Sequence, residues 1–372
     1  MSLSLVIAEV LFALAFTYIN GFHDTANSIA TVVATKVLSP GQAVLLAAVT
    51  NLFGALIGTA VAATIASGLL NAGVVDMGPQ LIICALSSAI IWNLVTWRLG
   101  LPSSSSHALI GALIGAALAV SDNHMDAVIW DDGGWFTGTG VLPKVVLPMV
   151  YSPLGGFIIG LVLMGALYAL LAWFAGRRGW LRRFGRTSFV NAFFGKAQII
   201  SASAMGVAHG MNDAQKSMGI IALALAGGTA AHEFDHLPQW LGFLQITEDV
   251  HGAFIIPTWV KVVAALTMAA GTAGGGWRII KTLGHKMVKL HPIHGFAAET
   301  SSAAIIFAAS VFGMPVSTTH NVSASIMGVG AAKRFSAVRW TVVRRMVWAW
   351  VLTLPITAAL AYVLVLLSVG LF

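Results

Sequence analysis

Two aspartates, Asp24 and Asp213, stand inside apolar stretches of the sequence. An ionised carboxylate in a hydrocarbon core costs on the order of 3 kcal/mol on insertion scales, so each implies a functional use. Asp24 lies in Asn20-Gly21-Phe22-His23-Asp24-Thr25-Ala26-Asn27-Ser28, which aligns with His209-Gly210-Met211-Asn212-Asp213-Ala214-Gln215-Lys216-Ser217. A second pair of blocks follows in the same order: Leu101-Pro102-Ser103-Ser104-Ser105-Ser106-His107 and Met314-Pro315-Val316-Ser317-Thr318-Thr319-His320. In each, hydroxyl residues come after a proline and before an apolar run, Ala108–Val120 or Val322–Ala332. That pattern marks a helix N-terminus: the proline ends the preceding helix, the hydroxyls cap, and free N–H groups meet the positive end of the dipole. Such an end binds phosphate or sulfate, and two of them from opposite sides can surround a tetrahedral oxyanion.

Carboxylates beside an anion repel it unless a cation intervenes. Asp24 and Asp213 therefore imply a coupling ion, a proton, Na⁺ or a divalent metal held by hard oxygen ligands. A Gly precedes each aspartate, and Asn27, or Gln215 with Lys216, follows. The expectation is that the helix breaks there and turns backbone groups into a cavity. Asn212, Gln215, Lys216 and Asn27 are anion-side candidates, with Ser104, Ser105, Ser106, Ser317, Thr318 and Thr319. His23, Asn51 and Glu299 are coupling-ion candidates, although Asn51 and Glu299 could equally hold helices together. Lys216 can neutralise Asp213 or hold the anion. His107 and His320, at matching positions, suit capping and packing as well as proton transfer. His232-Glu233-Phe234-Asp235-His236 lies in a polar loop where solvated charge is ordinary, and no metal or cofactor is assigned to it or elsewhere.

The elements that must position these groups are apolar helices. Of 372 residues, 58% are hydrophobic and 9% charged, against roughly a quarter charged in soluble domains. Runs long enough to cross a bilayer include 43–70, 81–99, 145–174, 252–272 and 346–371. The expected fold is an all-α integral membrane protein with roughly 10–12 membrane segments. No removed signal peptide is expected, and the single Cys84 reads as a small core residue. The net charge of +7 sits in patches beside apolar runs, at Arg177–Lys196, Arg278–Lys289 and Lys333–Arg345, which excludes nucleic acid as the natural partner and places these loops in the cytoplasm. Acidic stretches holding Asp122, Asp126, Asp131 and Asp132, and Glu233, Asp235, Glu248 and Asp249, should face outward.

Walking the chain with those sides fixed, 3–35 runs inward, 43–69 outward, 80–121 forms an out-to-out hairpin and 145–175 runs inward. Residues 197–227, 250–273, 297–332 and 346–370 take the opposite direction at each step. Repeated blocks of opposite orientation indicate an inverted-topology repeat transporter with broken helices and helical hairpins. Its halves are 1–175 and 197–372, joined by a basic linker at 176–196. Duplication argues against an enzyme such as an intramembrane serine hydrolase built on Ser103–Ser106, His107 and Asp24, because a nucleophile needs one base and one oxyanion hole. A sulfate or divalent-metal transporter of the same architecture is the nearer alternative.

These blocks resemble the inorganic phosphate transporter (Pit) family over nearly the whole chain, in particular its proteobacterial low-affinity branch, through Ile19–Asn27, Leu101–Gly111 and Met314–His320. The resemblance implies symport of phosphate with a cation, Na⁺ in some members and H⁺ in bacterial relatives, with a neutral metal-phosphate as a possible cargo. It implies roles for Asp24, Asn27, Asn212, Asp213, Ser104–Ser106 and Ser317–Thr319. His23 replaces the more widespread Asn of the signature, whereas its mate is Asn212, which disfavours a symmetric Na⁺ site and favours H⁺. The long hydrophilic insertion of many relatives is missing. The implied setting is a bacterial inner membrane, multi-pass, with inorganic phosphate, the coupling cation and lipid as partners and homo-oligomerisation left open.

Overall fold

The computed structural model describes residues 2–75, 77–134, 138–247 and 254–370; Glu248 and Asp249 of the second acidic stretch lie outside them. The described residues are helical, with two isolated β-bridges and no strand. In order, the helices are α1 (Leu3–Ala34), α2 (Pro40–Ala55), α3 (Ala60–Ser67), α4 (Pro79–Leu99), α5 (Ser105–Val120) and α6 (Leu147–Ala175). After these come α7 (Thr187–Ala230), α8 (Thr258–Gly274), the short α9 (Trp277–Lys281), α10 (Pro292–Val311), α11 (Thr318–Lys333) and α12 (Trp340–Leu367). Local chemistry sets the boundaries. Proline opens α2, α4 and α10, where no N–H is missed. Gly100 after α4 and Gly313 after α10 take φ of 66° and 65°, the left-handed turn that a side chain resists.

Two hairpins result, α4–α5 and α10–α11, as the proline and hydroxyl blocks require. The signature segments differ from expectation. α1 and α7 run unbroken through Asp24 and Asp213. The glycines beside the aspartates serve close helix packing instead: a Cβ on Gly21 would run into the carbonyl oxygen of Met268 on α8, and one on Gly210 into that of Asn51 on α2. The same relation recurs one turn away, Gly271 facing Tyr18 and Gly54 facing Val207. The break falls elsewhere, between α2 and α3, which bend by 68°.

Among the described residues four helices, α1, α4, α12 and 142–175, are long and apolar enough to cross a bilayer, and the bent α2–α3 pair passes the same test when its two helices are taken together. The 10–12 segments expected exceed that number, and the remaining helices, the hairpin helix α5 and the polar α7 among them, are shorter or more polar. α7 begins at Thr187, within the 176–196 stretch expected to join the halves. Each last helix crosses to the other hairpin: α6 packs on α11 through Gly156 and Gly160, and α12 packs on α5 through Gly111 and Gly115. Large apolar side chains such as Leu45, Phe53, Ile158, Val162 and Leu366 face outward, as a lipid-contacting surface must. Cys84 is buried, as expected of a core residue.

Candidate functional site

Asp24 and Asp213 meet at the tips of the two hairpins, and the contacts repeat across the halves. Ser105, first residue of α5, donates to Asp24 Oδ2 at 2.5 Å; Thr318, first residue of α11, donates to Asp213 Oδ2 at 3.3 Å. One residue on, Ser106 receives the Lys216 ammonium, and Thr319 accepts from Asn27 Nδ2 at 2.9 Å. Lys216 and Asn27 hold matching places in the repeat, and each reaches from its own half to the other half's hairpin. Asn27 also donates to Thr318 Oγ1 at 3.1 Å, and Thr319 Oγ1 to Asp24 Oδ1 at 3.3 Å.

The outermost hydroxyls cap. Ser104 accepts from His107 N–H at 3.1 Å and Ser317 from His320 N–H at 3.2 Å, so both are N-caps. The two helix N-termini confront one another: the His107 and His320 rings meet edge to face with centroids 4.8 Å apart. His320 also stacks on Trp350 of α12, whose indole N–H donates to Pro102 O. These imidazoles therefore pack the tips together.

The residue before each aspartate tethers its helix to its own hairpin. His23 places Nδ1 2.7 Å from Asp24 Oδ1 and Nε2 3.2 Å from Thr96 Oγ1 of α4. Asn212 donates to Ser310 Oγ and Met314 O of the second hairpin. His23 thus touches Asp24 itself, while Asn212 binds the second hairpin.

Lys216 is fully buried and its ammonium binds Asp213 Oδ1, Ser106 Oγ and, at 3.4 Å, Val316 O. Two carboxyl groups share the buried site with one amine. Asp24, His209 and Asp213 bring three possible ligand atoms within 4.8 Å of one another, close enough to share a small cation. His209, on the same helix face one turn before Asp213, has Nε2 3.0 Å from Asp213 Oδ2 and Nδ1 3.2 Å from Asn51 Oδ1. It stood in the repeated block opposite Asn20, and its i, i+4 spacing to Asp213 is the signal that could have marked it.

Three candidates lie elsewhere. Gln215 is bonded at the α2–α3 break: its Oε1 accepts from Val61 N–H at 2.8 Å and its Nε2 donates to Ile57 O, so it satisfies backbone groups left open there. Glu299 is not beside the aspartates. Thr31 donates to it at 2.5 Å, Gln198 at 3.1 Å, and Ser201 to its other oxygen, which makes it a junction of α10, α1 and α7. Asn51 Oδ1 lies 3.2 Å from His209 Nδ1, and its Nδ2 donates to Thr272 of α8. The 232–236 cluster holds an exposed His232–Asp235 pair.

A model of the phosphate transporter family matches residues 20–361 of the chain. A Bacillus subtilis (strain 168) protein named "Probable low-affinity inorganic phosphate transporter" is 40% identical over 363 residues, covering 96% of this chain and 95% of its own. A Rhizobium meliloti (strain 1021) protein of the same name is 42% identical over 359 residues, with 96% and 94% covered. A solved structure, "The sodium-dependent phosphate transporter", superposes with a TM-score of 0.78 over all of both chains at 21% identity, a likeness of fold.

Proposed function

The chain belongs to the phosphate transporter family, and on that premise we propose that it imports inorganic phosphate by symport with a cation, H⁺ in preference to Na⁺. The observation that carries the reading is the meeting of two helix N-termini over Asp24 and Asp213. Ser105, Thr318 and Thr319 donate their hydroxyls to the two carboxylates here, and Ser106 donates to Val316 O. A phosphate oxygen can take over those donors together with the N–H groups of the first helical turns and the Lys216 ammonium. The coupling cation then shields the aspartates. Ser104 and Ser317 act as caps behind them.

The two halves are unequal at one place, and that inequality bears on coupling. Asn27 leaves Asp24 without a fixed cation, whereas Lys216 supplies one to Asp213, bound through the oxygens of a carboxylate, a hydroxyl and a carbonyl. Lys216 thus does at Asp213 what a mobile cation does at a symmetric site, and the load of coupling ions falls by one. The Asp24, His209 and Asp213 ligand group also supports carriage of a divalent metal with the phosphate. The halves 1–175 and 197–372 work as an inverted pair in a bacterial inner membrane, with the basic loops inside.

The test is labelled-phosphate uptake by proteoliposomes with a pH gradient or a Na⁺ gradient imposed separately, unlabelled sulfate as competitor, and Mg²⁺ present or absent. Uptake driven by the pH gradient and insensitive to sulfate supports the reading. Uptake driven only by Na⁺ removes the proton, and preference for sulfate removes the substrate. The Lys216→Asn variant, which restores the residue of the other half, should need one further cation per phosphate, read from the reversal of flux against imposed voltage; unchanged stoichiometry refutes the lysine's role.

A further inference from the structure

Two of the three basic stretches converge on one hollow. A cavity of about 510 Å³ opens where the segment after α9, the start of α10, the end of α11 and the loop before α12 meet. Lys289, His291, Lys333, Arg334 and Arg339 ring it, with an apolar floor of Val288, Leu290 and Val329. No carboxylate lines it among the described residues. The loops are pinned to each other, the Arg339 N–H donating to Met287 O at 3.0 Å. The positive-inside rule alone asks only for basic residues in loops, and the 177–186 stretch shows that plain case: Arg177 and Arg183 lie over the rings of Trp173, Trp180 and Phe184. Here cations from distant parts of the chain surround a concavity instead.

We propose that this cavity binds an anion that carries more than one phosphoryl group, at a site separate from that of the transported ion. Four lysine and arginine side chains with no lining carboxylate favour multiple negative charges. The volume falls in the range of sites for ligands well above the size of a single phosphate. Both a condensed phosphate and the headgroup of an anionic phospholipid have this chemistry, and the apolar floor accommodates either a lipid's glycerol region or a neutral ligand body. The location gives binding a consequence. α11 runs from Thr318 at the transport site to Lys333 at the cavity rim, about 22 Å at 1.5 Å per residue. Ala34, at the end of α1, lies in the cavity wall. A bound anion ties the far ends of these two helices to the start of α10 and so restrains the elements that carry Asp24, Thr318 and Thr319.

The experiment uses the full chain and a Lys289→Gln, Lys333→Gln, Arg339→Gln variant, whose substitutions replace exposed side chains. Tripolyphosphate binding to the detergent-purified protein is measured by calorimetry at physiological ionic strength. Retained lipid is measured by native mass spectrometry after extraction from vesicles of phosphatidylcholine with cardiolipin. At roughly fivefold per cation removed, binding should weaken about a hundredfold in the variant. Tripolyphosphate binding that the substitutions abolish identifies a soluble ligand; cardiolipin retention that they abolish identifies a lipid. The proposal falls if the unsubstituted protein holds neither probe, or if the variant, with its melting temperature unchanged, holds them equally well. Neither measurement involves uptake, so failure here leaves the transport reading standing, and the reverse.

Discussion

Asp24 and Asp213 hold equivalent places in the repeat yet should respond differently to the same substitution. Asp213→Asn leaves the buried Lys216 ammonium without its counter-charge, a loss of about 3–5 kcal/mol for a broken buried pair, so this variant should melt markedly lower as well as fail to transport. Asp24→Asn removes no fixed ion pair with a lysine or arginine and should insert and fold while losing coupled accumulation. Near-normal accumulation by both variants would end the role given to these residues. Ser105→Ala and Thr318→Val each delete a hydrogen bond to a charged group, worth roughly 1.5–3 kcal/mol. The half-saturating phosphate concentration should accordingly rise about tenfold to a hundredfold. Gln215→Ala should instead leave that concentration within about twofold and lower the melting temperature, because its amide serves the α2–α3 break. A large rise in the phosphate requirement of this variant would return Gln215 to the anion. Much of the site is legible in residue types alone: carboxylates and hydroxyl runs are costly in lipid, so their positions carry information. Gln215 and Glu299 are not legible in that way. An amide or acid can be satisfied by any neighbour, and which neighbour depends on tertiary packing of α3 or α7.

At the scale of elements, the hairpins follow from prolines, caps and apolar runs, and their turns repeat Gly100 in Gly313. The unbroken course of α1 and α7 does not follow, because a glycine beside a polar block suits a kink and a close helix contact equally well until the facing backbone is known. Here the facing backbones are α8 and α2. Gly21→Ala and Gly210→Ala therefore each press a methyl group against a carbonyl of the partner helix. Each should cost about 1–3 kcal/mol as overpacking, measured as a fall in melting temperature of the purified protein. Were these glycines hinges instead, alanine would slow transport at full stability.

For the whole molecule, charge placement predicts the orientation, and contacts repeat between the halves. In a Cys84→Ser background, a cysteine at His124 should label from outside the cell and one at Arg182 only from inside. Labelling of both from one side would exclude an inverted arrangement of the halves.

The crossed packing of the last helices also bears on how the chain is made. α6 presents Gly156 and Gly160 to α11, and α11 is complete only at Lys333. At about 5–20 residues per second, α6 therefore waits roughly 10–30 s after its own synthesis for the surface that covers it. During that interval its small-residue groove must be filled by lipid tails or by a biogenesis factor. The first half leaves the ribosome before its groove has a partner, and the crossed packing can close only once α11 has been made.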